Sequence, residues 1–76
     1  MGFAQYITAK SADLYICNDD TPYEKLAFVE PVACALNSIS RTDIEFGDDV
    51  LVIGGGTMGM LHVMLAQKRG ARVILS

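Results

Sequence analysis

The chain has 76 residues, of which 51% are hydrophobic and 20% charged, with a formal net charge of −3. A chain this short buries only about 60% of the surface it exposes when unfolded, so one small domain or part of a larger one is the ceiling. The apolar content excludes intrinsic disorder, the scattered Lys and Arg residues exclude a nucleic-acid surface, and no apolar stretch approaches the roughly 20 residues that cross a bilayer.

The chain opens Met1-Gly2-Phe3-Ala4-Gln5, without the positively charged region of a secretory signal, which makes a cytoplasmic location the default expectation. Residues 3–9 mix Phe3, Tyr6, Ile7 and Thr8 with no turn residue between them and predict a strand. Leu14-Tyr15-Ile16-Cys17 predicts a second, shorter one, closed by the turn chemistry of Asn18-Asp19-Asp20. Cys17 and Cys34 form neither a CxxC pair nor a disulfide framework, and both read as small buried thiols.

Thr21-Pro22-Tyr23-Glu24 carries a hydroxyl N-cap, a proline at the first helical position and a glutamate able to bond back to the cap, so a short helix should begin there. Pro31 should end it and start another over 31–40, leaving Glu30 at a junction between two helices. Gly47-Asp48 marks a turn, and Val50-Leu51-Val52-Ile53 is the continuous apolar run of a buried parallel strand. Residues 58–69 predict a largely buried helix, with Lys68 and Arg69 complementing its C-terminal dipole and Gly70 just past its end. Residues 72–75 open a second strand. Strand, glycine loop, helix and strand make a βαβ unit, and the fold class expected is α/β.

The glycines of Gly54-Gly55-Gly56-Thr57-Met58-Gly59 follow a buried strand and open a helix, the context in which G-x-G-x-x-G binds a dinucleotide. Gly54 would permit the tight turn, Gly56 the approach of a pyrophosphate, and Gly59 close packing of helix on strand. Free N–H groups of Thr57 and Met58 would then meet the phosphates at the positive end of the helix dipole. No Lys-Ser or Lys-Thr follows the glycines, which excludes a nucleoside-triphosphate loop. The acidic residue that selects NAD over NADP would fall just beyond Ser76, so both remain candidate cofactors.

These residues resemble the medium-chain zinc-dependent dehydrogenases, in particular the branch acting on sorbitol and threonine. Gly2-Phe3-Ala4-Gln5-Tyr6 is similar to the strand that closes that family's GroES-like catalytic domain. Glu30-Pro31-Val32-Ala33-Cys34-Ala35-Leu36 resembles its interdomain helix start, and the run from Gly47 to Gly56 resembles its first nucleotide-binding strand and turn. The resemblance implies the end of a GroES-like domain with its interdomain helix over residues 1–45 and the first, truncated βαβ of a Rossmann domain over 46–76. It also implies that Glu30 serves the catalytic zinc, directly or through its water; a carboxylate is a legitimate ligand there. Without the resemblance, Glu30 reads as a helix cap. His62 falls away from the implied metal site and reads as a packing or surface residue.

The family's other zinc ligands and its four-cysteine structural lobe have no counterpart in the sequence, so no residue is assigned a catalytic role. The expectation is part of an oxidoreductase, itself homo-oligomeric, that moves a hydride between a secondary alcohol or polyol and a nicotinamide, with zinc polarising the alcohol. The 76-residue chain alone is expected to be inactive. The alternative is a non-catalytic truncated product or interaction module derived from that family.

Overall fold

The computed structural model describes residues 3–76; Met1 and Gly2, the latter part of the family-like amino-terminal segment, lie outside it. After a single 3-10 turn at Ser11–Asp13 come helices α1 (Tyr23–Leu26) and α2 (Val29–Ser40), strand β1 (Asp49–Val52), helix α3 (Thr57–Lys68) and strand β2 (Arg72–Leu75). The two strands pair in parallel, Asp49 opposite Arg72 and Val52 opposite Leu75. Because α3 supplies the crossover that a parallel pair requires, β1, α3 and β2 form the βαβ unit read from the sequence.

The ladder runs one step past the strands at each end: the Ser76 N–H donates to Val52 and the Gly54 N–H to Ser76, while the Arg72 N–H donates to Asp48. The sheet faces follow the two-residue period of extended chain. Val50, Val52 and Val73 are half-buried, whereas Asp49, Leu51, Arg72 and Ile74 are exposed. A Cβ built on Gly59 of α3 would touch the Val52 side chain, which identifies the half-buried face as the one α3 covers.

The core is small, consisting of Ala35 and Ile39 of α2, Ala66 of α3 and Ala71 before β2. Ala35 and Ala66 are wholly buried, and their short side chains allow α2 and α3 to pack closely. The C-terminus of α3 is closed by two reciprocal bonds, Gly70 N–H to Gln67 and Ala71 N–H to Ala66, a Schellman cap that needs a left-handed residue. Gly70 provides it at φ +85°. A Cβ there would also strike the Phe46 ring, so the same glycine ends the helix and seats the connector that leads into β1.

Several local expectations are corrected. The 50–53 run is not a buried strand, since Leu51 and Ile53 are exposed, and of the helix expected to be largely buried over 58–69 only Ala66 is buried, because only one layer covers it. Residues 3–9 and 14–17 form no strand, since a strand requires a ladder partner and none is present among the described residues. Tyr6, Tyr15 and Ile16 are accordingly exposed, Ile16 completely. Cys17 and Cys34 are exposed rather than buried. Thr21 makes no cap; α1 is one turn preceded by Pro22, whose carbonyl accepts from Lys25 and Leu26.

Pro31 does not divide two helices either, because it is the third residue of α2. The first helical bond of α2 runs from the Val32 N–H to the Phe28 carbonyl, so Pro31 sits where an N–H would have had no partner. Glu30 therefore lies within the first turn of α2 rather than at a junction, the junction falling at Ala27 and Phe28.

Candidate functional site

The glycine turn between β1 and α3 is where the sequence motif meets its geometry. Gly54 leaves the strand at φ +108°, a conformation that side chains disfavour. Gly59 lies directly against it: a Cβ at Gly59 would stand 2.9 Å from the Gly54 carbonyl carbon and closer still to its oxygen. Only glycine lets α3 come this near the turn. At Gly56, by contrast, an added Cβ would meet nothing within 4 Å, so the turn is open toward solvent at that position.

The amides match this opening. The first helical bond of α3 runs from the Met60 N–H to the Gly56 carbonyl, leaving the N–H groups of Thr57, Met58 and Gly59 without a partner inside the helix. Those of Gly55 and Gly56 have no backbone partner among the described residues either. Partnerless amides at the positive end of a twelve-residue helix, beside a position with free space, are chemically suited to a phosphate. The structure thus brings Gly54, Gly56, Thr57, Met58 and Gly59 together in one turn.

Beside the turn lies a cleft of about 420 Å³ between the end of α2, the face of β1 and the first two turns of α3. Ile39, Ile44, Val50 and Met58 give it apolar walls, with Ser38, Thr42 and His62 as polar groups at its margin. His62 is half-buried, and its Nδ1 lies 2.7 Å from the Met58 carbonyl oxygen, one turn earlier in α3. The sequence marks His62 as a packing or surface residue; its place on the cleft wall depends on how α2 seats against α3.

Glu30 is placed elsewhere. It is absent from the cleft lining, and about 12 Å of helix separates it from Ser38 at the cleft edge. One turn along α2, the Cys34 thiol donates to Glu30 Oε1 at 2.8 Å. The accepted bond raises the Cys34 pKa, and slight desolvation and the Glu30 charge act in the same direction, so the thiol is held in its protonated, donating form. The i, i+4 spacing on one helix face was the available sequence signal for this contact.

Glu30 and Cys34 together offer at most two donors, fewer than the three protein ligands of a catalytic zinc. Among the described residues no group of three or more His, Cys, Asp or Glu side chains converges. The residues present therefore do not make a zinc centre by themselves.

No family model matches the chain, and no solved structure matches it. Curated proteins do match. An uncharacterized zinc-type alcohol dehydrogenase-like protein of Escherichia coli (strain K12) is 40% identical over 75 residues, 97% of this chain and 21% of that protein. Sorbitol dehydrogenase of Halalkalibacterium halodurans is 34% identical over 74 residues, 97% of this chain and 22% of that enzyme. Galactitol 1-phosphate 5-dehydrogenase of Escherichia coli (strain K12) is 33% identical over 73 residues, 96% of this chain and 21% of that enzyme. The chain thus spans about a fifth of the length of the curated relatives it matches. Several independent dehydrogenases aligned over nearly all of these residues, glycine turn included, place the segment in the medium-chain zinc-type alcohol and polyol dehydrogenase family.

Proposed function

We propose that the turn between β1 and α3 cradles the pyrophosphate of a nicotinamide dinucleotide, NAD or NADP, and that the chain serves an oxidoreductase acting on a secondary alcohol or polyol. The supporting observation is the pairing of free space at Gly56 with the partnerless amides of the α3 N-terminus. Gly55, Gly56, Thr57 and Met58 would direct N–H groups at the phosphate oxygens, and Gly59 holds α3 close enough for them to converge. When bound, the cofactor supplies a ring that accepts or delivers a hydride. The residues of this chain bind and orient; none of them is assigned a proton or a bond of the substrate.

The proposed division of the chain follows the same reading. Residues 46–76 open a Rossmann domain, and residues 1–45 belong to the end of a GroES-like domain with its connecting helix. Glu30 is proposed as a carboxylate of the metal shell in an assembly whose remaining zinc ligands come from outside the described residues.

The test separates the two roles. In a full-length sorbitol-type dehydrogenase carrying these 76 residues in place of its matching segment, Gly56→Val should abolish NAD(H) binding in a fluorescence titration and leave zinc content intact. A side chain there occupies the pyrophosphate's space. Glu30→Ala should lower zinc affinity or turnover by roughly 10- to 100-fold with cofactor binding preserved. Full NAD(H) affinity in Gly56→Val would overturn the cradle, and full zinc with normal turnover in Glu30→Ala would return Glu30 to a plain first-turn residue.

A further inference from the structure

We propose that Gly55 is a specificity-determining position: its missing side chain keeps room beside the adenosine ribose, so that the turn admits a dinucleotide with a 2′-phosphate as well as one without it. The inference rests on the reading of the turn as a pyrophosphate cradle. It starts from what the fold asks of each glycine. Gly54 needs a left-handed backbone and Gly59 a close approach, whereas Gly55 needs neither. Its φ is not positive, and an added Cβ would meet only Leu75 Cδ2, at the ordinary contact distance of 3.8 Å. Folding alone would accept alanine here and gain from it, because glycine loses more backbone freedom on folding. The absence of a side chain is left for a ligand to explain.

The direction of that missing side chain identifies the part of the ligand concerned. The ladder holds the turn against the end of β2: the Gly54 N–H donates to the Ser76 carbonyl at 3.0 Å and the Ser76 N–H to the Val52 carbonyl at 2.9 Å. Leu75 is the last residue of β2, and a Cβ at Gly55 leans toward it. In a βαβ dinucleotide site the ribose hydroxyls are read at the end of the second strand, while the pyrophosphate lies at the helix N-terminus. Gly56 therefore serves the pyrophosphate and Gly55 the ribose side of the same turn. All of these contacts run between residues 52 and 76, so the βαβ unit sets this corner by itself.

Charge leaves the corner open as well. Val73, Ile74, Leu75 and Ser76 bring no carboxylate to repel a phosphate, and the Gly55 N–H, without a backbone partner, is a donor in the same turn. A side chain at 55 would extend into the space between the turn and Leu75, excluding a 2′-phosphate before it touches the smaller 2′-hydroxyl.

Residues 1–76 grafted into a full-length zinc-type dehydrogenase that binds both NADH and NADPH provide the test, with the Kd of each cofactor measured by fluorescence titration. Gly55→Ala should raise the Kd for NADPH about 10-fold and Gly55→Leu about 100-fold, the order expected from forcing a methyl or larger group into occupied space, while the Kd for NADH stays within about threefold. Unchanged NADH binding also shows that the turn still folds. Equal losses for both cofactors, no loss for either, or a loss confined to NADH overturns the proposal. A graft that binds NADH no better than its Gly56→Val variant overturns the cradle itself, and this inference with it.

Discussion

Residues 3–17 are richer in strand-forming side chains than 49–75, yet only the second segment builds a sheet. Tyr6, Ile7 and Thr8 have the same local preference for extended chain as Val50, Leu51 and Val52. The latter find a parallel partner in Arg72–Leu75 and a helix to cover one face, while the former find neither and stay exposed. Strand propensity measures fit to a pleated, half-buried surface, and where no such surface is offered it has nothing to act on. The βαβ unit supplies its own surface because all three of its elements lie within 27 consecutive residues, from Asp49 to Leu75.

This contrast predicts where substitutions act. The largest effect should come from Gly59→Ala, since the methyl group must displace the Gly54 carbonyl and so lever α3 off the sheet. A loss of about 3 kcal/mol or more is expected, enough to unfold a unit this small. Amide exchange at Val50, Val52 and Val73 is the measurement. Protection that persists in Gly59→Ala would show that the close contact is not what seats the helix.

A smaller effect is expected on α2. Because Glu30 raises the Cys34 pKa by accepting its hydrogen bond, the thiolate forms only at higher pH, and alkylation at a given pH is slowed. In a Cys17→Ser background, Glu30→Gln should shift the alkylation profile of Cys34 to lower pH and raise its rate near neutrality. Mass spectrometry of iodoacetamide-treated protein reads this directly, and an unchanged profile would mean that the Sγ–Oε1 bond is not maintained in solution.

The smallest effect is expected in the extended region. Ile16 touches solvent on all sides, so Ile16→Ser should alter the exchange protection of β1 and β2 by no more than about 0.5 kcal/mol. A larger loss would reveal that residues 3–17 pack on the βαβ unit after all.

Much of this protein was written locally. The run of 50–53, the glycine spacing of 54–59 and the stop at Gly70 each carry their own physical cause: a β-branched apolar stretch with one face under α3, steric room in a turn, and a left-handed helix end. Each was found within a residue or two of where the pattern placed it. The proposed phosphate-binding reading of the motif rests on the same residues, since chemistry that depends on backbone amides and absent side chains is encoded in a short contiguous stretch. Tertiary arrangement settled what depends on distant partners. Pro31 entered α2 because the first helical bond is made by Val32, and Glu30 met Cys34 because one helix carries both across that proline. His62 reached a cleft wall through the seating of α2 on α3, and residues 3–17 formed no strand because pairing is a property of two segments, never of one.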